Sequence, residues 1–208
     1  MTSALKPPQP RRWCLWIGLA TFLATLVLFV LFAHPFLAIN TPVQADTMVV
    51  EGWVPPYVLD AAAAEFARGG YSRVFVSGLE SSDGPETDAV QSARHLVAAG
   101  VDPAKVVAAP AAATGFNRTA HMARAIRDRM RAIGVHPAGV NVVTLGPHAR
   151  QSQLAYQRLL GADTPVGVIS IPKDDYDPAR WWASRAGIRK TTKDFAGWLK
   201  ELLFGLRS

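Results

Sequence analysis

The chain has almost no cysteine, no cluster of basic residues and none of the short signatures that mark a familiar chemistry. Its one cysteine, Cys14, excludes an intramolecular disulfide, so the fold must rest on its apolar core. The patterns Gly-x-x-x-x-Gly-Lys-Ser/Thr, Gly-x-Gly-x-x-Gly, Gly-x-Ser-x-Gly, His-Glu-x-x-His and Cys-x-x-Cys are all missing. That removes the P-loop, the dinucleotide fingerprint, the nucleophile elbow, the zinc-protease helix and the paired-thiol sites. The net charge is +6, but Lys6, Arg11 and Arg12 supply half of it and the rest is dispersed. A nucleic-acid partner is therefore not expected, while weak attraction to an anionic membrane surface is compatible with this charge. His34, His95, His121 and His136 show no metal-ligand spacing, and the sequence contains no internal repeat or low-complexity tract.

What is present begins with a greasy N-terminus. Residues 1–12 form a basic leader, and 13–33 follow without a charge, rich in Leu, Phe, Val and Ala. As a helix this run of about 21 residues measures about 31 Å, enough to cross a bilayer core. No Lys or Arg follows until Arg68, so the positive-inside rule places the N-terminus in the cytoplasm and the remainder outside. A cleaved signal peptide is the competing reading, with Val43-Gln44-Ala45 as its small-residue site. The apolar run exceeds an ordinary signal core and Ala45 lies far beyond it, which favours an uncleaved anchor. Residues 34–45 then read as a tether.

From Asp46 apolar strands alternate with helical segments through Pro172. Strands are expected at Thr47–Glu51, Arg73–Ser77, Lys105–Ala109, Val140–Leu145 and Val166–Ile171. The intervening helices run over 57–68, 86–99, 117–133 and 149–160, several closed by glycine. This alternation predicts an α/β, Rossmann-like parallel sheet of about five strands with helices on both faces, preceded by one transmembrane helix. Residues 173–208 form a tail. Trp181, Trp182, Phe195, Trp198, Leu199, Leu202, Leu203 and Phe204 give it an apolar face, and Lys193 and Lys200 are among its polar residues. That face either packs on the domain or rests on the membrane.

In such sheets ligands bind beyond the C-terminal strand ends. The fourth strand runs into Gly146-Pro147-His148, placing Thr144, His148 and Arg150 about a helix start, where backbone N–H groups favour anions. His148 suits proton transfer near neutral pH, or serves as a structural histidine. Arg150 either clamps an anion or is a solvated surface arginine. Glu51 ends an apolar strand, where a carboxylate is costly unless it is functional or paired with Arg150 or Arg118. Glu86 opens a helix, where dipole compensation alone accounts for it. Asn117 and Thr119 begin another, with an N-cap role or a ligand pocket as alternatives. Asn117-Arg118-Thr119 also matches a glycosylation sequon, read as a chance match. Asp174-Asp175 follow the fifth strand and can reach the same crevice. A metal set from Glu51, Glu86, His148 and an Asp is a weak alternative, and no metal ligands are assigned.

Five short stretches, taken in order, resemble the YdcF-like family, a domain of unknown function that includes the envelope proteins SanA and ElyC. They are Val49-Val50-Glu51-Gly52-Trp53, Val76-Ser77-Gly78, Glu86-Thr87, Thr114 through Asn117 to Thr119, and Val143-Thr144 through His148. Glu-Gly-Trp followed by prolines is similar to a membrane-tethered branch, and the match spans residues 46–172. One departure is Gln151, where members often carry arginine.

The resemblance implies a Rossmann-like domain on the bacterial inner membrane, facing the periplasm, with a role in envelope or surface-polysaccharide biogenesis. The resemblance supplies no established reaction; it is their loop positions that make Glu51 and His148 the expected catalytic pair. Gly52, Ser77, Gly78, Glu86, Asn117, Thr119, Thr144 and Arg150 are the ligand-binding candidates. The expected ligand is a phosphate-bearing envelope precursor. The alternative is a non-catalytic module that assists an envelope synthase. A cytoplasmic domain binding a nucleotide or methyl-donor cofactor is a third reading.

Overall fold

The computed structural model describes residues 10–79, 86–112, 115 and 117–205. Helix α1 (Pro10–Leu37) leads into β1 (Thr47–Glu51), α2 (Pro56–Arg68), β2 (Arg73–Leu79), α3 (Asp88–Ala98) and β3 (Val106–Ala111). Then come α4 (Arg118–Ala132), β4 (Val140–Leu145), α5 (Ala149–Leu160), β5 (Val166–Ile171) and α6 (Arg185–Phe204). The five strands form one all-parallel sheet in the order β3-β2-β1-β4-β5. This is the Rossmann-like α/β architecture, and its strand order reverses between β1 and β4.

Strand alternation divides the core in two. Met48 and Val50 of β1, Val74 and Val76 of β2 and Val143 of β4 face α2 and α3, meeting Val58, Ala62 and Leu96. Val49, Phe75 and Val142 point the other way, against Ala123 and Ile126 of α4 and Tyr156 of α5. With both faces covered, the strands read as continuous apolar runs, and each buried Val or Leu contributes about 1.5–3 kcal/mol. Local signals agree with the helix starts. Thr87 accepts the Val90 N–H at the head of α3, and Ser184 accepts that of Gly187 at the head of α6, the N-cap bond typical of Ser and Thr. β3 continues through Pro110, beyond the expected end at Ala109. As an edge strand it tolerates a residue that cannot donate to a ladder.

The N-terminal region departs from the expected boundaries. One helix, over Trp13–Leu37, is long and apolar enough to cross a membrane, with a mean hydropathy of 2.5. It passes through Pro35 because its last turns are held by the fold: Ala33, His34 and Leu37 are buried. Trp181 donates its indole N–H to the Val30 carbonyl at 3.0 Å, and His34 hydrogen-bonds the Tyr176 hydroxyl at 3.0 Å. The expected tether is pinned as well. Thr41 exchanges backbone hydrogen bonds with Val168, and the Asn141 amide grips the Val43 backbone at 2.8 and 2.9 Å.

Candidate active site at the crossing of β1 and β4

After β1 the chain crosses to the α2 face, and after β4 to the α5 face, which leaves a crevice where the two strand ends diverge. Glu51 ends β1, and Ser77 and Thr144 lie near the ends of β2 and β4; all three are fully buried on the α4/α5 face. The Glu51 carboxylate accepts the Thr144 hydroxyl at 2.5 Å and the Ser152 hydroxyl of α5 at 2.9 Å. Two hydrogen bonds to a charged acceptor, about 1.5–3 kcal/mol each, offset part of its desolvation. Neither Arg150 nor Arg118 pairs with it. Among the described residues the basic side chain beside it is His148, with Nε2 3.8 Å from Oε2.

His148 closes the short turn Gly146–His148, whose glycine has φ +54, a conformation that costs glycine nothing and other residues strain. Its ring lies edge-on to Trp53, centroids 5.1 Å apart. Nδ1 lies 3.4 Å from Asp194 Oδ1 on α6, and Nε2 lies 3.4 Å from Thr119 Oγ1 on α4. A carboxylate only accepts, so the Nδ1 proton is assigned to the Asp194 contact and Nε2 becomes the acceptor. Thr119 itself accepts the Gln151 amide at 3.1 Å, leaving its own proton free for Nε2. The order is carboxylate, imidazole, hydroxyl, the arrangement of an activated proton relay.

Asp194 is the better anchored carboxylate. Burial alone would raise its carboxyl. The hydrogen bond from His148, the charge of that ring and the Lys190 ammonium at 2.8 Å outweigh burial and hold it below the ordinary range. Lys190 also sits 5.3 Å from the Trp53 ring centroid, within cation–π reach. The ring and the two side chains thus position one another.

Above this relay lies a cleft of about 240 Å³, with Thr119, His148 and Asp194 in its wall and Arg118, Lys190, Lys193 and Lys200 around it. Lys190 is committed to Asp194. Among the described residues Arg118 and Lys193 have no carboxylate partner. Such an arrangement favours an anion, and one with more than a single negative oxygen.

The structure brings together Glu51, Thr119, Thr144 and His148. Gly52, Ser77 and Gly78 lie below them but do not face the cleft. The Gly52 N–H donates to the Ser77 carbonyl at 2.6 Å, and its own carbonyl accepts the Ser92 hydroxyl at 2.7 Å. A Cβ on Gly78 would stand 2.3 Å from the Ala89 nitrogen, so these glycines let α3 approach the strand ends. Ser77 accepts the Tyr156 hydroxyl at 3.4 Å. Asn117 occupies the N-cap position of α4, buried in the left-handed region at φ 54; its carbonyl accepts the His121 N–H at 3.1 Å, but its side chain makes no cap bond. Glu86 sits apart, paired with Arg94 at 2.6 Å. Arg150 turns away: its Nε donates to the Phe36 carbonyl and its guanidinium stacks 4.0 Å from the Phe36 ring centroid. Asp175 pairs with Lys173, away from the relay.

Sequence reasoning missed the contribution of α6. Lys190 and Asp194, four residues apart on one helical face, were the available signal. Gln151, at the position where the resembled family often has arginine, holds Thr119 and packs on Gly197. Among the described residues no group of three or more His, Cys, Asp or Glu is arranged to hold a metal. No family model, curated protein or solved structure matches the chain.

Proposed function

We propose that this chain is a membrane-anchored, extracytoplasmic enzyme of envelope or surface-polysaccharide biogenesis that hydrolyses or transfers a group on a phosphate-bearing precursor. The observation that carries the reading is the Asp194–His148–Thr119 chain opening into a cationic cleft. His148 Nε2 takes the proton of the attacking hydroxyl, from water or an acceptor substrate bound beside Thr119. The imidazolium so formed lies between Asp194 and Glu51 and returns the proton to the departing oxygen. Arg118 and Lys193 meet the charge that develops on the phosphoryl oxygens. The compartment is supported by Lys6, Arg11 and Arg12 ahead of the apolar run that starts at Trp13 and by the absence of Lys or Arg between Arg12 and Arg68. The role is supported by the YdcF-like resemblance.

The test replaces His148 with Gln and Asp194 with Asn, separately, in a strain lacking the native gene. Loss of general acid–base catalysis costs about 10²–10⁴-fold in rate, so both variants fail to restore envelope integrity while still binding inorganic pyrophosphate. Full restoration by both refutes catalysis and favours the non-catalytic module assisting a synthase. A C-terminal alkaline phosphatase fusion that stays inactive refutes the compartment.

A further inference from the structure

The portion of α1 that projects from the fold has the length of a bilayer core. From Trp13 to Phe32 every side chain is exposed except the half-buried Phe29 and Val30, and burial begins at Ala33. Those residues span about 30 Å at 1.5 Å per residue, the thickness of the hydrocarbon layer. The domain therefore starts where lipid would end, with no free linker between.

At that level lies a depression of about 640 Å³, between α1, the end of β5 and the turn Pro178–Ala183. Leu31, Pro35, Pro178, Trp181 and Trp182 make it apolar, and Leu31 belongs to the lipid-level part of α1. Trp182 is 40% exposed, as an interfacial tryptophan would be. The far end turns polar at Ser170 and Lys173. Lys173 also lines a second depression with Asp175, Arg189, Lys190 and Lys193, and the last two line the cleft over His148. Three hollows thus share walls in sequence: apolar at the bilayer, basic midway, catalytic at the end. Arg189 and Lys193 have no carboxylate partner among the described residues.

We propose that a phosphate-headed amphiphile reaches the site directly from the bilayer. Its hydrocarbon chain lies in the Leu31–Trp182 groove and its head is drawn along Lys173, Arg189 and Lys193 to His148. This rests on the anion reading of the cleft and adds the class of ligand. A soluble phosphate has no use for the groove, and a neutral lipid has no use for the lysine track.

The experiment uses the full chain in phosphatidylcholine nanodiscs doped with hexadecyl phosphate carrying a terminal diazirine, and in parallel the matching hexadecanol. Adducts are mapped by peptide mass spectrometry after illumination. The phosphate probe is expected to label Leu31, Pro35 and Trp182 about five-fold above the lipid-facing Leu23, a margin that one lysine–phosphate contact supplies. The alcohol probe lacks that excess. Ala38 and Ala179 also line the groove; filling it with Ala38→Trp and Ala179→Trp removes the excess and leaves pyrophosphate binding unchanged, and Lys173→Glu with Lys193→Glu removes the phosphate preference in a groove left open. Uniform labelling along Trp13–Phe32, or an excess that survives both pairs, overturns the groove even where pyrophosphate binds. Failure of the wild type to bind pyrophosphate overturns the anion reading, and equal labelling by both probes then overturns the amphiphile with it.

Discussion

Truncating Glu51 to Ala separates its two hydroxyl partners by what each has left. Ser152 retains a second acceptor, the His148 carbonyl at 3.3 Å. Thr144 is fully buried, and its only described acceptor is the Glu51 carboxylate at 2.5 Å. A buried hydroxyl left unsatisfied costs about 1–3 kcal/mol, and a hydrogen bond to a charge is worth about 1.5–3 kcal/mol. A double-mutant cycle of Glu51→Ala with Thr144→Val is therefore expected to show a coupling of about 1.5–3 kcal/mol. The cycle with Ser152→Ala should give about 0.5–1 kcal/mol, since a neutral bond replaces the lost one. Val matches Thr in shape, so the Thr144 arm removes the hydroxyl without leaving a void. Urea unfolding of the full chain in detergent micelles, followed by tryptophan fluorescence, gives the four free energies for each cycle. Additivity within about 0.5 kcal/mol at Thr144, or a larger coupling at Ser152, refutes the assignment of the carboxylate to this network.

Two further outcomes follow from the same packing. Glu201 is buried on α6. Burial raises its carboxyl against the opposing pull of Arg158, Lys200 and His148, while Arg158 also holds the Glu201 and Leu202 carbonyls. A raised folded-state value penalises the native state as pH climbs past the unfolded carboxyl value, so Glu201→Gln is expected to stabilise by about 1 kcal/mol at pH 7.5. That gain should vanish near about pH 4, where both states carry the proton; a thermal melt series whose gain grows toward acid refutes it. Gly78→Ala drives a Cβ to 2.3 Å from the Ala89 nitrogen and should cost about 1–3 kcal/mol. Gly115→Ala meets none of the described residues within 4 Å and should stay within about 0.5 kcal/mol; equal costs in denaturant titrations contradict the close approach.

Much of the fold could be read from local pattern. Thr47–Glu51, Ala149–Leu160 and Val166–Ile171 emerge with the expected bounds, because apolar runs and glycine or proline stops are properties of neighbouring residues. The pairing of Glu51 with Thr144 follows from that legible topology, since β1 and β4 sit side by side where the strand order reverses. Boundaries failed where tertiary contacts decided them: α1 runs through Pro35 because Ala33, His34 and Leu37 are buried. The site was only half visible for a similar reason. Arg150 sits beside His148 in sequence, yet the opposite face of α5 gives it the Phe36 ring. Asp194, 46 residues from His148, reaches the ring only by the packing of α6, which no spacing rule along the chain encodes.

The position of α6 has a consequence for how the molecule comes to life. Asp194 of this helix contacts the imidazole at 148, while Phe195 and Trp198 meet Phe29 and Phe36 of α1 edge to face. The sheet and its other helices precede it in synthesis, and domains grow from the N-terminal side. A ribosome-bound chain can thus complete its sheet while the relay still lacks its carboxylate. The cluster at His148 is complete only once α6 has docked on α1, so closing the site and seating the N-terminal helix become a single event.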